Sequence, residues 1–255
     1  MAENAPRKIR SPYEKRLDRA RLLAEQYPAA GDLLLFYTEL AKLQKRIYDD
    51  LESTELSALL GWFPELFHLV SQFTPALAEF ARENFKFESA QLDLLTARWE
   101  GDPDQIDARA DFFAHALLEP FAMKLAARGQ IDPQWTEPTC PFCGSRAGLA
   151  VLRGEGDGGK RSLVCSLCAT EWNFRRILCP HCGEEDKDKL PVYVGSPFEH
   201  VRVEACDTCK TYIKSIDLTK NGLADPIVDE IATVPLNIWA EEHGYLKLAA
   251  NVMGM

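Results

Sequence analysis

The sequence predicts an α+β protein: an N-terminal all-α helical domain followed by two tandem four-cysteine metal modules of the zinc-ribbon type. Three observations carry this. Apolar residues recur at helical spacing as far as about residue 128. All eight cysteines lie at or beyond residue 140, each in a Cys-x-x-Cys pair. The cysteine region also repeats itself. A chain of 255 residues, 46% hydrophobic and 27% charged, has apolar material for one large domain or two ordinary ones.

Ser11-Pro12-Tyr13-Glu14 reads as a capping box, with Pro12 at the first helical position and Glu14 reaching back to the start of a helix. Over residues 32–51, Leu33, Phe36, Leu40, Leu43, Ile47 and Leu51 fall three or four apart and form an amphipathic stripe. Phe63, Leu66, Phe67, Val70, Phe73, Leu77 and Phe80 make a second stripe, which Pro75 should bend or end. A third, Ile106, Ala110, Phe113, Leu117, Phe121 and Leu125, follows the Asp102-Pro103 start signal, and Pro120 should kink it. These aromatics read as the core of a helical bundle. The cysteine-free half is expected to stand as a stable unit without metal.

Residues 128–139 bring two prolines and polar side chains, a linker. Helical periodicity then stops. Short β-like segments follow at 149–152, 161–164, 191–194 and 200–204, the first two joined by a glycine-rich turn over 154–159. Helix returns after Asp225-Pro226, restarts at Pro235 and has a C-terminal cap candidate in Gly244. The expected organisation is a helical domain over 1–130, a first four-cysteine module over 131–178, a second over 179–225, and a C-terminal helical tail over 226–255.

Cys140-Pro-Phe-Cys143-Gly144 aligns with Cys179-Pro-His-Cys182-Gly183, and Cys165-Ser-Leu-Cys168 with Cys206-Asp-Thr-Cys209. Two residues between thiols let both sulfurs reach one tetrahedral ion from a single tight turn. Backbone N–H groups of that turn can then hydrogen-bond to sulfur and spread its charge. Glycine after the second cysteine takes positive φ at little cost. The second pairs carry Ala169 and Lys210 there instead, so those turns either hold a left-handed non-glycine residue, at about 1–2 kcal/mol, or close differently.

The other readings of these pairs are weaker. Disulfide frameworks belong to small secreted chains with varied spacings. Thioredoxin-type pairs come with a βαβ pattern that is missing here. Cross-bracing of Cys140/Cys143 with Cys179/Cys182 goes against the internal repeat, and ribbon spacing fits a mononuclear ion better than an iron–sulfur cluster. His181 is awkwardly placed to be a co-ligand, while His68, His115, His200 and His243 read as surface or packing residues. Spacing does not separate zinc from iron, since both accept four sulfurs in a tetrahedron.

Net charge is −10, with 13 Lys and Arg against 18 Asp and Glu over residues 132–255, so the ribbon half has no basic excess with which to engage phosphates. Only the arm through Arg21 is basic, and it reads as a solvated helix end. The longest apolar run is five residues (33–37), too short for a membrane span, and no secretory signal is read at the N-terminus. There is no Gly-x-Ser-x-Gly, Walker loop or dinucleotide fingerprint. A binding protein is therefore favoured over an enzyme.

The array CPFCG…CSLC-ATEW…CPHCG…CDTC-KTYIK, with a short acidic helical tail (DEIATVPLNIWAEEHGY), resembles the formate dehydrogenase accessory proteins of the FdhE type. The specific part of the resemblance is the four-pair array; the helical half matches in character. The resemblance implies a cytoplasmic, non-catalytic maturation factor that binds the catalytic subunit of a respiratory formate dehydrogenase before export. It further implies two mononuclear metal ions held in rubredoxin-like fashion by Cys140, Cys143, Cys165, Cys168, Cys179, Cys182, Cys206 and Cys209. Iron is favoured on this ground, with zinc as the alternative. Nucleic acid is not expected as a partner, and self-association stays open. The competing classes are a zinc-ribbon nucleic-acid or transcription protein and a rubredoxin-like electron carrier.

Overall fold

A computed structural model of the chain describes residues 11–155 and 158–255. The helical half comprises α1 (Tyr13–Gln26), α2 (Gly31–Asp50), α3 (Phe63–Phe73), α4 (Pro75–Asn84), α5 (Glu88–Glu100) and α6 (Ala108–Ala126). Strands follow: β1 (Ala147–Glu155), β2 (Gly158–Cys165), β3 (Glu171–Asn173), β4 (Val192–Val194), β5 (Val201–Ala205) and β6 (Thr211–Asp217). The chain then forms α7 (Pro226–Ala232), α8 (Val234–Glu242) and the two-residue β7 (Leu246–Lys247). No helix among the described residues is long and apolar enough to cross a membrane. Residues 1–10 of the basic arm and residues 156–157 of the glycine-rich turn lie outside the described residues.

The stripes become helices for the expected reason: Leu34, Tyr37, Leu40, Ile47, Phe63, Leu66, Phe113 and Leu117 are all buried in one core. Pro75 opens α4 rather than bending α3, since its missing N–H costs nothing in a first turn. The capping box does not form. α1 begins at Tyr13 without a side-chain cap, and only the Tyr13 backbone N–H approaches Ser11 Oγ, at 3.4 Å. α6 runs unbroken through Pro120, which cannot donate to the Ala116 carbonyl four residues back. Gln44 of α2 supplies the missing donor, Nε2 to Ala116 O at 3.0 Å, and also donates to Glu119 at 3.1 Å.

The strands build one sheet in the order β3-β2-β1-β6-β5-β4. Each four-cysteine module contributes an antiparallel three-stranded meander, and the two meanders join through the parallel pair β1 and β6, with Leu149 opposite Lys214. Counting strands within each repeat, the order is third, second, first, then third, second, first again. The repeat read in the sequence thus recurs head to tail across a single sheet. β7 pairs in parallel with the start of β6, Leu246 opposite Thr211. The central strand β6 and the edge strand β3 were not expected from the sequence. Lys214 interrupts the apolar alternation of β6, and three residues are too few to show a period.

One face of the sheet, with Leu149, Val151, Val201 and Ile216, packs on α7 and on Tyr27 just beyond α1. α7 is therefore interior, wedged between α1 and the sheet. Its adjacent acids take different partners. Asp229 takes two hydrogen bonds from Arg19 of α1 (2.5 and 2.8 Å), and Glu230 pairs with Lys214 of β6 (2.9 Å). Arg16, on the same arm, is buried against Glu119 of α6 at 2.5 Å. The described part of the arm read as a solvated helix end is thus largely internal, because Arg16 and Arg19 have buried carboxylate partners, while Arg21 stays exposed. Nor does the helical half keep a core to itself: its apolar cluster continues through Cys140, Leu163, Leu167, Trp172, Ile231, Leu248 and Val252.

Candidate metal centres

Each Cys-x-x-Cys pair sits on a turn of one design. The backbone N–H of the first cysteine donates to the carbonyl five residues on: Cys140 to Ser145, Cys165 to Thr170, Cys179 to Glu184 and Cys206 to Thr211, each at 2.9 Å. Where a helix would continue, the residue after the second cysteine turns left-handed. Gly144 (φ 73°) and Gly183 (φ 75°) do so freely, while Ala169 (φ 54°) and Lys210 (φ 58°) do so against the steric preference of an L-residue. Of the two ways left open for the non-glycine turns, the left-handed one is present.

The turns bring the eight thiols together as two tetrads, Cys140/Cys143/Cys165/Cys168 and Cys179/Cys182/Cys206/Cys209, with all four sulfurs of each within 4.8 Å of one another. Pairing is therefore consecutive along the repeat, not cross-braced. The S···S distances are 3.4 Å (Cys143–Cys165), 3.5 Å (Cys140–Cys168) and 3.7 Å (Cys179–Cys209 and Cys182–Cys206). A tetrahedral ion with metal–sulfur bonds of ~2.3 Å needs sulfurs ~3.8 Å apart, and a disulfide needs ~2.05 Å. The spacing fits a tetrahedral ion, and so do the surroundings. Phe142, Leu167 and His181 present backbone N–H groups at 3.4 Å to Cys140, Cys165 and Cys179. The hydroxyls of Thr170 and Thr211, equivalent in the repeat, lie 3.0 Å from Cys168 Sγ and Cys209 Sγ. The backbone N–H donors aimed at sulfur stabilise thiolate, the form that binds metal.

The histidines fall outside both donor sets. His115, buried in α6, donates from Nε2 to the carbonyl of Ser166, inside the first tetrad's second turn, at 3.0 Å. Burial, helped by Arg98 and opposed by the Ser166 carbonyl, pushes its ring down to about 3, so it is neutral and can serve as that donor. His200 binds Asp229 at 2.7 Å, and His68 and His243 bond to Gln72 and to the Trp239 carbonyl.

A helical layer fastened to a repeated four-cysteine ribbon pair that shares one sheet defines an α+β protein with two candidate metal centres. Residues 139–176 match the FdhE central domain, and residues 177–253 match the FdhE C-terminal domain. An FdhE homologue from Aquifex aeolicus is 27% identical over 93% of this chain and 94% of its own length. FdhE of Escherichia coli K12 is 26% identical over 96% and 88%. The crystal structure of the FdhE protein from Pseudomonas aeruginosa matches with a TM-score of 0.72 at 25% identity, covering 94% of this chain and 95% of that one. In all of these comparisons the chain is similar to FdhE proteins, from the helical half through both four-cysteine modules.

Proposed function

We propose that this protein is a cytoplasmic, non-catalytic accessory factor that binds the catalytic subunit of a respiratory formate dehydrogenase and assists its assembly before export. The observation that carries the reading is similarity to FdhE proteins over nearly the whole chain, together with both four-thiol sets. The eight cysteines would hold two mononuclear ions, with four protein ligands each. Such closed sets suit a structural or electron-holding centre better than a substrate-binding one, which keeps a coordination position open. The module boundaries proposed with this reading are 131–178 and 179–225, each meander with its own tetrad.

The test is a deletion strain. Formate dehydrogenase activity should disappear while the enzyme's transcript and polypeptide are still made, and tagged protein should co-purify with the catalytic subunit. Normal activity in the deletion strain rejects the role. Salt-sensitive retention on heparin or DNA would favour the nucleic-acid alternative, which a net charge of −10 disfavours.

A further inference from the structure

We infer that the two four-cysteine centres are inequivalent. The second, Cys179/Cys182/Cys206/Cys209, is an exchangeable centre that can lose and regain metal while the chain stays folded, and the first is a fixed staple of the core. The inference rests on reading both tetrads as metal centres.

The difference lies in what surrounds sulfurs of equal chemistry. In the first tetrad Cys140, Cys165 and Cys168 are 3%, 1% and 3% exposed and belong to the apolar cluster that runs through the helices. The residues within its turns include the buried Leu167 and the half-buried Phe142, and His115 of α6 bonds the Ser166 carbonyl. Cys143, half-buried, faces a cleft of about 570 Å³ whose walls are tied by the Arg146–Asp104 pair at 2.6 Å. In the second tetrad Cys182 is exposed and Cys209 half-exposed, and no cysteine of this set enters an apolar cluster among the described residues. His181, Asp207 and Thr208, which lie within its turns, are all exposed. Behind it, Cys179 and Cys206 border a cavity of about 100 Å³ that also reaches Leu178 and Leu248.

Metal leaves a thiolate site when a competing ligand reaches the ion and the freed sulfurs take up protons, with no change of oxidation state. At the second centre a soluble chelator meets an exposed sulfur and a knuckle with solvent on one side and empty space on the other. At the first, three sulfurs become reachable only when the helical layer separates from the sheet, a much larger opening.

The full chain, reconstituted with Zn²⁺ without air and assayed for metal, is challenged with 4-(2-pyridylazo)resorcinol and quenched with iodoacetamide for peptide mapping. One equivalent should leave at least about 10-fold faster than the other. Alkylation in that phase should be confined to Cys179, Cys182, Cys206 and Cys209, with helical circular dichroism unchanged. Cys182→Ser should abolish the fast phase alone. Because Cys168→Ser could fail to fold, the mapping of the parent chain decides. Two equivalents leaving in one phase, or early label on Cys140, Cys143, Cys165 or Cys168, overturns the inference. Fewer than two equivalents before any chelator is added overturns the two-centre reading beneath it.

Discussion

Backbone conformation at four single residues sets the shape of both tetrads. A Cβ added at Gly144 or Gly183 would meet nothing within 4 Å, so the cost of a side chain there is conformational, not steric crowding. Gly183→Ala is expected to destabilise the loaded protein by about 0.5–1 kcal/mol in denaturant titration, because about 1–2 kcal/mol of left-handed strain is partly offset by about 0.5–1 kcal/mol of chain entropy that alanine removes from the unfolded state. Ala169→Gly should give a comparable gain by the reverse balance. A gain at 183 or a loss at 169 would contradict this account. Pro120 and Gln44 form a second residue-scale device, one removing a helical hydrogen bond and the other replacing it from across the bundle. Gln44→Met should cost about 1–3 kcal/mol by leaving the Ala116 carbonyl unsatisfied. In a Pro120→Ala background, where residue 120 can donate again, the penalty should shrink. A double-mutant cycle with no coupling would reject the pairing.

Among the elements, α7 depends most on its neighbours. Two adjacent acids on a seven-residue helix would ordinarily be solvated, yet Asp229 and Glu230 are 1% and 2% exposed. Burial raises the Glu230 carboxyl, but Lys214, Lys247 and the Asn251 amide overcome it and bring the group down to about 2. Glu230→Gln leaves Lys214 buried without its carboxylate and should cost about 3–5 kcal/mol near neutrality. The sign of the pH effect follows. The folded pKa is depressed, so this stabilisation is present above the unfolded value of about 4.3 and is lost as pH falls toward about 2. The stability gap between parent and Glu230→Gln should therefore narrow over that window in acid titrations by circular dichroism; a gap that widened would refute the assignment.

At the scale of the whole molecule, the expected independence of the helical half meets a core that crosses from helices to sheet. A fragment ending at Arg128 exposes the face of α1 that holds α7 and the face of α6 that holds a turn of the first tetrad. It is expected to keep helical circular dichroism, bind a hydrophobic dye and melt without a sharp transition. A cooperative melt like that of the full chain would restore the self-sufficient domain. Elemental analysis of the intact chain should give two ions, and acid-labile sulfide in step with iron would exclude mononuclear centres.

The eight cysteines, their grouping into two tetrads, the left-handed glycines at 144 and 183 and the three apolar stripes were all legible in the sequence, while at 169 and 210 it left open whether the turn would be left-handed. Each is a local matter: ligand spacing, turn geometry and helical period are set within a few residues of chain. What the tertiary structure alone decided is everything carried by pairing across long separations. Arg16 and Arg19 look like surface charge until Glu119 and Asp229 arrive from about a hundred and two hundred residues away. β6 looks irregular because Lys214 points at an acid on α7. The two modules look alike in spacing, yet one buries three of its cysteines in the core while the other buries two and leaves Cys182 exposed. Burial of a charge or a sulfur depends on what packs over it, and that is fixed only when the head-to-tail sheet sets the first tetrad, and not the second, into the core shared with the helices.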